Sequence, residues 1–555
     1  MVLVTSSMYF VLVRRVLTPW SIALVILTAS VSFMVWVGSR RLGRLGRWAL
    51  GIVVFVGWGI GFWTAAGDYL AGEVPIAISG LALFGASLWN LWLGWMHLWP
   101  QSITQRFRRL GYLMILPVAV AATMYPRQMT GDEQLLFAWR WASKSSPNSR
   151  SIVSKSDGSL KFEKGSIDGV DFPQYLGPDR DGRLVGPALD TDWDLHPPTL
   201  LWQIPVGPSW SGFCLVDDLT ITQEQQGSTE AITAYRIADG TRAWIYSYPA
   251  IFRDEPMGSG PRATPTVAGS SVIAVGGTGI LHALDRTTGK VIWSRDLLDE
   301  PRRSLQLHGN SSSPLVLGNL VIVSPSAESG PSLVACRLND GVIVWEVGTA
   351  GEMYCSPFTL KWNNELLVVH VDAKGVFARR ASDGAEVWSK LQDMTGLIPQ
   401  PVVVQSSPLQ ILTASYDLKG ASLWQVGQVA NEIQIVDKWS KPYLKSKFST
   451  PIVIDGFIYG LDNGILQCVD SVSGESKWKK GRYKHGQLLA VDKMLLILTE
   501  EGELVLVEPD PGDLQELGRV KVLEGRTWNP LAMKGSYLLA RNAEQACCYQ
   551  LSLRP

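Results

Sequence analysis

Eight short stretches combine a polar or aromatic side chain with a small residue and, in most, a proline that opens an apolar strand: SWSGF, GPRATP, HGNSSSP, MYCSP, IPQP, KFSTP, KHGQ and TWNP. They carry Trp210, Arg262, His308, Asn310, Tyr354, Gln400, Lys447, His485, Trp528 and Asn529. Opening a strand needs the small residue and the proline. It does not need the arginine, histidine, lysine or tryptophan. If all these strands start at one mouth of a ring, the side chains converge on one rim. A concavity with convergent polar groups and aromatics is the default ligand site. The residue types favour binding over turnover, because aromatics and arginine anchor partner surfaces and no obvious carboxylate cluster stands among them to hold a divalent ion. We expect no catalytic residue and no metal ligand in the set.

Other chemistry is poorly represented. The six cysteines, Cys214, Cys336, Cys355, Cys468, Cys547 and Cys548, contain no CxxC, which leaves a thioredoxin-like site, a zinc ribbon and covalent c-type haem unsupported. Cys547 and Cys548 are adjacent inside an apolar strand, where neighbours point to opposite faces, so both are expected as small apolar occupants. His97, His196, His282, His308, His370 and His485 are scattered without metal-ligand spacing. The acids of DTDWD, Asp190, Asp192 and Asp194, lack the downstream glycine and glutamate of a calcium loop and are expected in a solvated loop.

The elements that must position the rim repeat along the chain. LHALDRTTGKVIW ends at Trp293, TAYRIADGTRAW at Trp244, VACRLNDGVIVW at Trp345, FARRASDGAEVW at Trp388 and LQCVDSVSGESKW at Trp478. Each alternates apolar residues, as a half-buried strand does. A glycine step then supplies the positive φ of a tight hairpin, and a tryptophan follows. ANEIQIVDKW, ending at Trp439, lacks the glycine, and LVLVEPDPGDLQEL has Leu517 where a tryptophan would stand. Several strands per unit at this period are the mark of a propeller blade. The eighth unit is split: ACCYQLSL ends the chain without a partner strand, and TLLWQIPV with Trp202 begins the domain without one. Pairing a strand near Ala546–Leu553 with one near Leu200–Val206 closes the ring and hides both edges. The expected fold is an all-β eight-bladed propeller over residues 171–555.

The ALD..TGK..W pattern resembles the repeat of pyrroloquinoline-quinone-type propellers, and the resemblance covers roughly Asp171 to Pro555. That family includes quinoprotein alcohol and glucose dehydrogenases and the non-catalytic propeller lipoprotein of the bacterial outer-membrane β-barrel assembly machine. LEGRTWNPLAMKGSYLLARNAEQACCYQL is most similar to quinoprotein-like proteins of planctomycete-type bacteria. The resemblance implies the fold. It implies little about catalysis, since many members carry the blades without a cofactor.

The chain before the blades is different material. A mean hydropathy of +0.11 conceals the contrast. Up to Tyr125 there are nine Arg, no Lys and two acids, Asp68 and Glu73. The apolar runs Trp20–Gly38, Trp48–Ala66 and Val74–Trp95 are long enough to cross a bilayer, and Gly111–Tyr125, shorter and interrupted by Pro117, is a fourth candidate. Residues 1–125 are therefore expected as an all-α transmembrane region of about four helices. Arg40, Arg41, Arg44 and Arg47 lie in one loop, Arg106, Arg108 and Arg109 in another, and GDYLAGE between them has no basic residue. Positive loops stay in the cytoplasm, which puts the propeller on the periplasmic or extracytoplasmic side. Arg14 and Arg15 run against this orientation. Residues 126–170, with SKSSPNSRS and SKSDGS, are expected as a flexible polar linker.

Two functions follow. The first is a membrane-anchored extracytoplasmic binding or scaffolding module, without a cofactor, whose partners are membrane lipid and another protein or an extracytoplasmic ligand, not nucleic acid. The second is a dehydrogenase of sugars or alcohols using pyrroloquinoline quinone with calcium, since membrane glucose dehydrogenases also place helices before their propeller. The eight blades leave few long insertions for such a site, and the calcium-binding Glu, Asn and Asp of that family find no match here. The first reading is preferred.

Overall fold

The computed structural model describes residues 124–132, 135–139 and 167–554, apart from 255–256, 300–302, 352–353, 393–396, 417–418 and 431. The first three apolar runs, most of the fourth, and the orientation drawn from their loops lie outside the described residues. The fourth run ends in a strand: Met124 and Tyr125 open β1 (Met124–Met129), which pairs antiparallel with β2 (Leu135–Trp139). This hairpin begins where a flexible linker was expected. Its register slips between Pro126 and Gln128, a bulge suited to a proline with no N–H to donate.

Eight four-stranded antiparallel units follow. Blades 1 to 7 span residues 214–249, 266–296, 315–347, 358–391, 402–441, 452–482 and 487–521. Blade 8 combines residues 532–550 with β4 (Thr199–Pro205), which precedes blade 1 in the chain. The expected closure is observed: Cys548 pairs with Trp202 and Ala546 with Ile204. Cys547 and Cys548 are both free and buried.

The tryptophans and glycines of the repeat form one joint. Trp202, Trp244, Trp293 and Trp439 donate their indole N–H to the carbonyls of Ile237, Arg286, Leu338 and Ser471 in the next blade, at 2.7–3.0 Å. Each ring lies over the glycine of that blade's turn. Gly240, Gly289, Gly341 and Gly474 have φ near +70°, and a Cβ on any of them would come within 2.8 Å of the facing tryptophan. Glycine thus serves backbone conformation and ring clearance together. Apolar clusters straddle neighbouring blades in the same way. Ile221, Ile232 and Trp244 of blade 1 pack with Val272, Ala274 and Leu284 of blade 2.

The two imperfect repeats are compensated locally. Blade 5 has no glycine at this turn and instead runs a long ladder from Ala421–Val429 to Glu432–Lys441. Trp388 of blade 4 then has no acceptor for its indole N–H, and packs edge-on to Trp424 at 5.7 Å. At blade 7, where Leu517 replaces tryptophan, Trp193 lies against Gly518 and is 5% exposed. The DTDWD stretch is therefore not wholly solvated. Its carboxylates cap turns, Asp190 accepting from the Asp192 N–H and Asp192 from that of Leu195.

Residues 172–184 run through the middle of the ring. Phe172 bridges to Leu215 on the innermost strand of blade 1, and the Pro173 carbonyl accepts from Val267 in blade 2. Arg180 donates to the carbonyls of Ser313 and Pro314 at the opening of blade 3. β3 (Arg183–Leu184) adds in parallel to the innermost strand of blade 7. A segment that touches the inner edges of four blades around a ring lies on its axis. Burial brings the Arg180 guanidinium down to about 9.

Candidate functional site: the axial mouth

The innermost strands start at one mouth, and the turns between second and third strands return there, because strands alternate in direction. The tip of the β1–β2 hairpin sits in this mouth. The backbone N–H of Gly131 donates to Glu500 Oε1 at 2.8 Å, and its carbonyl accepts from Lys447 Nζ at 2.8 Å. Asp132 Oδ1 meets His485 Nε2 at 2.8 Å, and the Met129 carbonyl accepts from Arg526. The second oxygen of Glu500 accepts from the His485 N–H. The His485 hydrogen bond holds the Asp132 carboxyl below its usual range. Gly131 is buried. A Cβ there would stand 2.6 Å from the Cβ of His485 and closer still to its ring.

Beside the tip is an aromatic stack. Trp210 and Trp528 lie 5.0 Å apart with a 41° tilt, and Phe448 is 4.5 Å from Trp528. The guanidinium of Arg526 lies over both indoles, at 4.8 and 4.3 Å, a cation–π arrangement, and donates to the Met257 carbonyl at 2.7 Å. Burial brings Arg526 down to about 10.

A second polar group continues the rim over blades 2 to 4. Asp254 accepts from Arg262 at 2.6 Å and meets His308 Nδ1 at 2.8 Å. The Tyr354 ring lies 5.6 Å from that of His308, tilted by 47°. Arg262, His308 and Tyr354 are partly exposed, whereas Trp210, Lys447, His485 and Trp528 are buried.

The ten rim residues thus divide. Trp210, Lys447, His485 and Trp528 gather around the hairpin tip, and Arg262, His308 and Tyr354 form the open part. Asn310, Gln400 and Asn529 turn their amides to backbone carbonyls: Asn310 to Ser324, Gln400 to Arg180, and Asn529 to Ser209 and Ser211. They hold blade openings and the axial segment in place. Sequence reasoning missed Glu500, Arg526, Phe448, Asp254 and the hairpin. Phe448 and Arg526 sit within two residues of rim positions already found. Glu500 lies in a second-to-third-strand turn, which alternation brings to the same mouth.

A quinone would need an open aromatic floor and a divalent ion beside it. Here Arg526 covers the indole faces and the chain's own segment crosses the axis behind them. Among the described residues no three His, Cys, Asp or Glu side chains gather as a metal requires. The mouth does not fit that cofactor. A separate cleft of about 780 Å³ opens near the far ends of the innermost strands, between blades 4 and 5, lined by Asp179, Arg183, Lys361 and Asn364 among others.

The family model described as outer membrane protein assembly factor BamB matches residues 199–310 and 228–480. A protein of that description from Yersinia pestis is 26% identical over 294 residues, spanning 50% of this chain and 71% of its own length. Among solved structures, a europium-containing methanol dehydrogenase superposes with a TM-score of 0.52 at 10% identity, covering 68% of this chain and 98% of its own. The quinohemoprotein alcohol dehydrogenase from Comamonas testosteroni superposes at 0.52 with 11% identity, covering 69% and 81%. At such identities the two enzymes show the fold alone. The family match spans half of the chain, and the chain belongs to the BamB family.

Proposed function

We propose that this member of the BamB family is a membrane-tethered binding and scaffolding module whose propeller stands outside the cytoplasm and takes a protein partner at its axial mouth. The observation that carries the reading is the mouth itself. Arg262, His308 and Tyr354 lie partly exposed beside a stack of Trp210, Trp528 and Arg526, the residue types that anchor protein interfaces. The relative from Yersinia pestis is named an assembly factor, and assembly proceeds by contact. The arginine-rich loops before Tyr125 and the apolar runs between them favour a membrane tether in contact with lipid.

The reading is tested by placing a photocrosslinking amino acid at Tyr354 and, as a control, at exposed Val436 on the outer strand of blade 5. A discrete protein adduct from the mouth and not from the outer strand is expected in cells. Equal or absent crosslinking at both sites would remove the mouth as the binding surface. In parallel, stoichiometric binding of pyrroloquinoline quinone with calcium-dependent dye reduction would replace this reading with the dehydrogenase.

A further inference from the structure

We infer that the tip of the β1–β2 hairpin is a tethered ligand of the axial mouth, and that the partner segment the mouth accepts has the same chemistry: a tight protein turn in which glycine precedes an acidic residue. The inference rests on the mouth being the partner surface proposed above. It adds what the mouth recognises and what keeps it covered.

The contacts have the form of ligand recognition. Both backbone polar groups of Gly131 are taken by charged side chains of the propeller, Glu500 and Lys447. The Asp132 carboxylate is taken by His485. These partners come from the openings of blades 6 and 7 and from a blade 7 turn, which the ladders already hold in place without the hairpin. Gly131 needs its missing side chain for space, since a Cβ would collide with His485; a left-handed backbone is not the reason. The site therefore selects glycine by contact and the next residue by charge. Covering Lys447, His485 and Glu500, the tip and any second turn of this kind exclude each other.

The mutual exclusion can be read with a labelled synthetic peptide of residues 124–139 as probe and the purified full-length protein in detergent. A tethered segment acts at an effective concentration near the millimolar range, so the wild type should bind the peptide at least about tenfold more weakly than Gly131→Ala, whose own tip cannot seat. Asp132→Lys, at an exposed position, is a second release variant that leaves the fold unburdened. Adding Lys447→Ala to either should abolish the gain, and a peptide carrying alanine for the glycine should bind neither. Equal peptide binding by wild type and both release variants, or none by any of them at about millimolar peptide, would overturn the inference. Crosslinking from Tyr354 separates the two ideas. A partner captured equally by wild type and Gly131→Ala sinks the tethered ligand and leaves the binding module standing. Peptide binding gained on release, with no partner captured from the mouth by either form, sinks the binding module and the partner's chemistry with it, and leaves the tip alone as a ligand of the mouth.

Discussion

Gly240 of blade 1 lies under the ring of Trp202 of blade 8, so close that a Cβ on the glycine would stand 2.8 Å from the indole Cδ2, and the indole N–H reaches the Ile237 carbonyl at 2.7 Å in the same turn. The joint between the first and last blades of the ring is thus built like the joints between sequence neighbours. Since Trp202 comes from the strand that precedes blade 1, this contact also secures the ring's closure.

Gly240→Ala should destabilise the protein by about 2 kcal/mol or more, because alanine pays the left-handed penalty and meets the ring. Trp202→Ala should cost about 3–5 kcal/mol as a large buried truncation. The two losses should fall short of additive, since either one opens the same joint. Denaturant midpoints of the two single variants and the double variant measure this; full additivity would mean the contact carries no closure.

Trp388→Phe should be milder than Trp244→Phe. The Trp244 N–H donates to the Arg286 carbonyl at 2.8 Å, and its loss leaves a carbonyl short of a partner, at about 1–3 kcal/mol. Trp388 makes no such bond, and a phenyl ring can keep the edge contact with Trp424. Thermal melts of the two variants side by side would show the order; a larger drop for Trp388→Phe contradicts the joint described above.

Mild acid should destabilise the folded propeller through two buried histidines. Burial without a hydrogen-bond partner holds His282 down to about 4. Burial, and then the charge of Arg379, holds His370 down to about 3. In the unfolded chain both take up protons near pH 6.5. The contribution of these two histidines is therefore level above that pH and falls as pH drops from about 6.5 towards 4, where His282 in the folded state also protonates. The loss from His282 alone is on the order of 3 kcal/mol. Unfolding midpoints of wild type and His282→Gln at pH 7.5, 6 and 5 should converge with acidification; parallel curves would refute the assignment.

A thiol placed at Ser156 should be labelled by an impermeant reagent in cells whose outer barrier alone has been opened. The six native cysteines are buried and leave a low background. Protection until the inner membrane is broken would put the propeller on the cytoplasmic side.

In the Gly131→Ala background, where the tip is already released, Arg526→Ala should weaken partner binding through the mouth while lowering stability, because it removes the cation over Trp210 and Trp528 and the donor to Met257. Arg526→Lys should recover charge but not the planar stack. Crosslinking yield from Tyr354 is the readout, and a fully active lysine variant would show that charge alone matters.

The blades were legible in the amino-acid order because each is made by neighbours. Strand alternation, the turn glycine and the tryptophan recur within one unit, and a half-unit at either end announces the closure of Gln545–Gln550 on β4. The rim was legible for the same reason, as the strand openings are part of the repeat. What each rim side chain does was not. The amides of Asn310, Gln400 and Asn529 match a ligand site in type, and only packing turns them to backbone carbonyls. Residues 124–139 and 172–184 carry no repeat, and their meaning lies in contacts with residues far along the chain, such as Gly131 with Lys447 and Arg180 with Ser313. Periodicity encodes which face of a strand is buried. It cannot encode which non-repeating segment enters a mouth or an axis, because that depends on the shape left when the ring has closed.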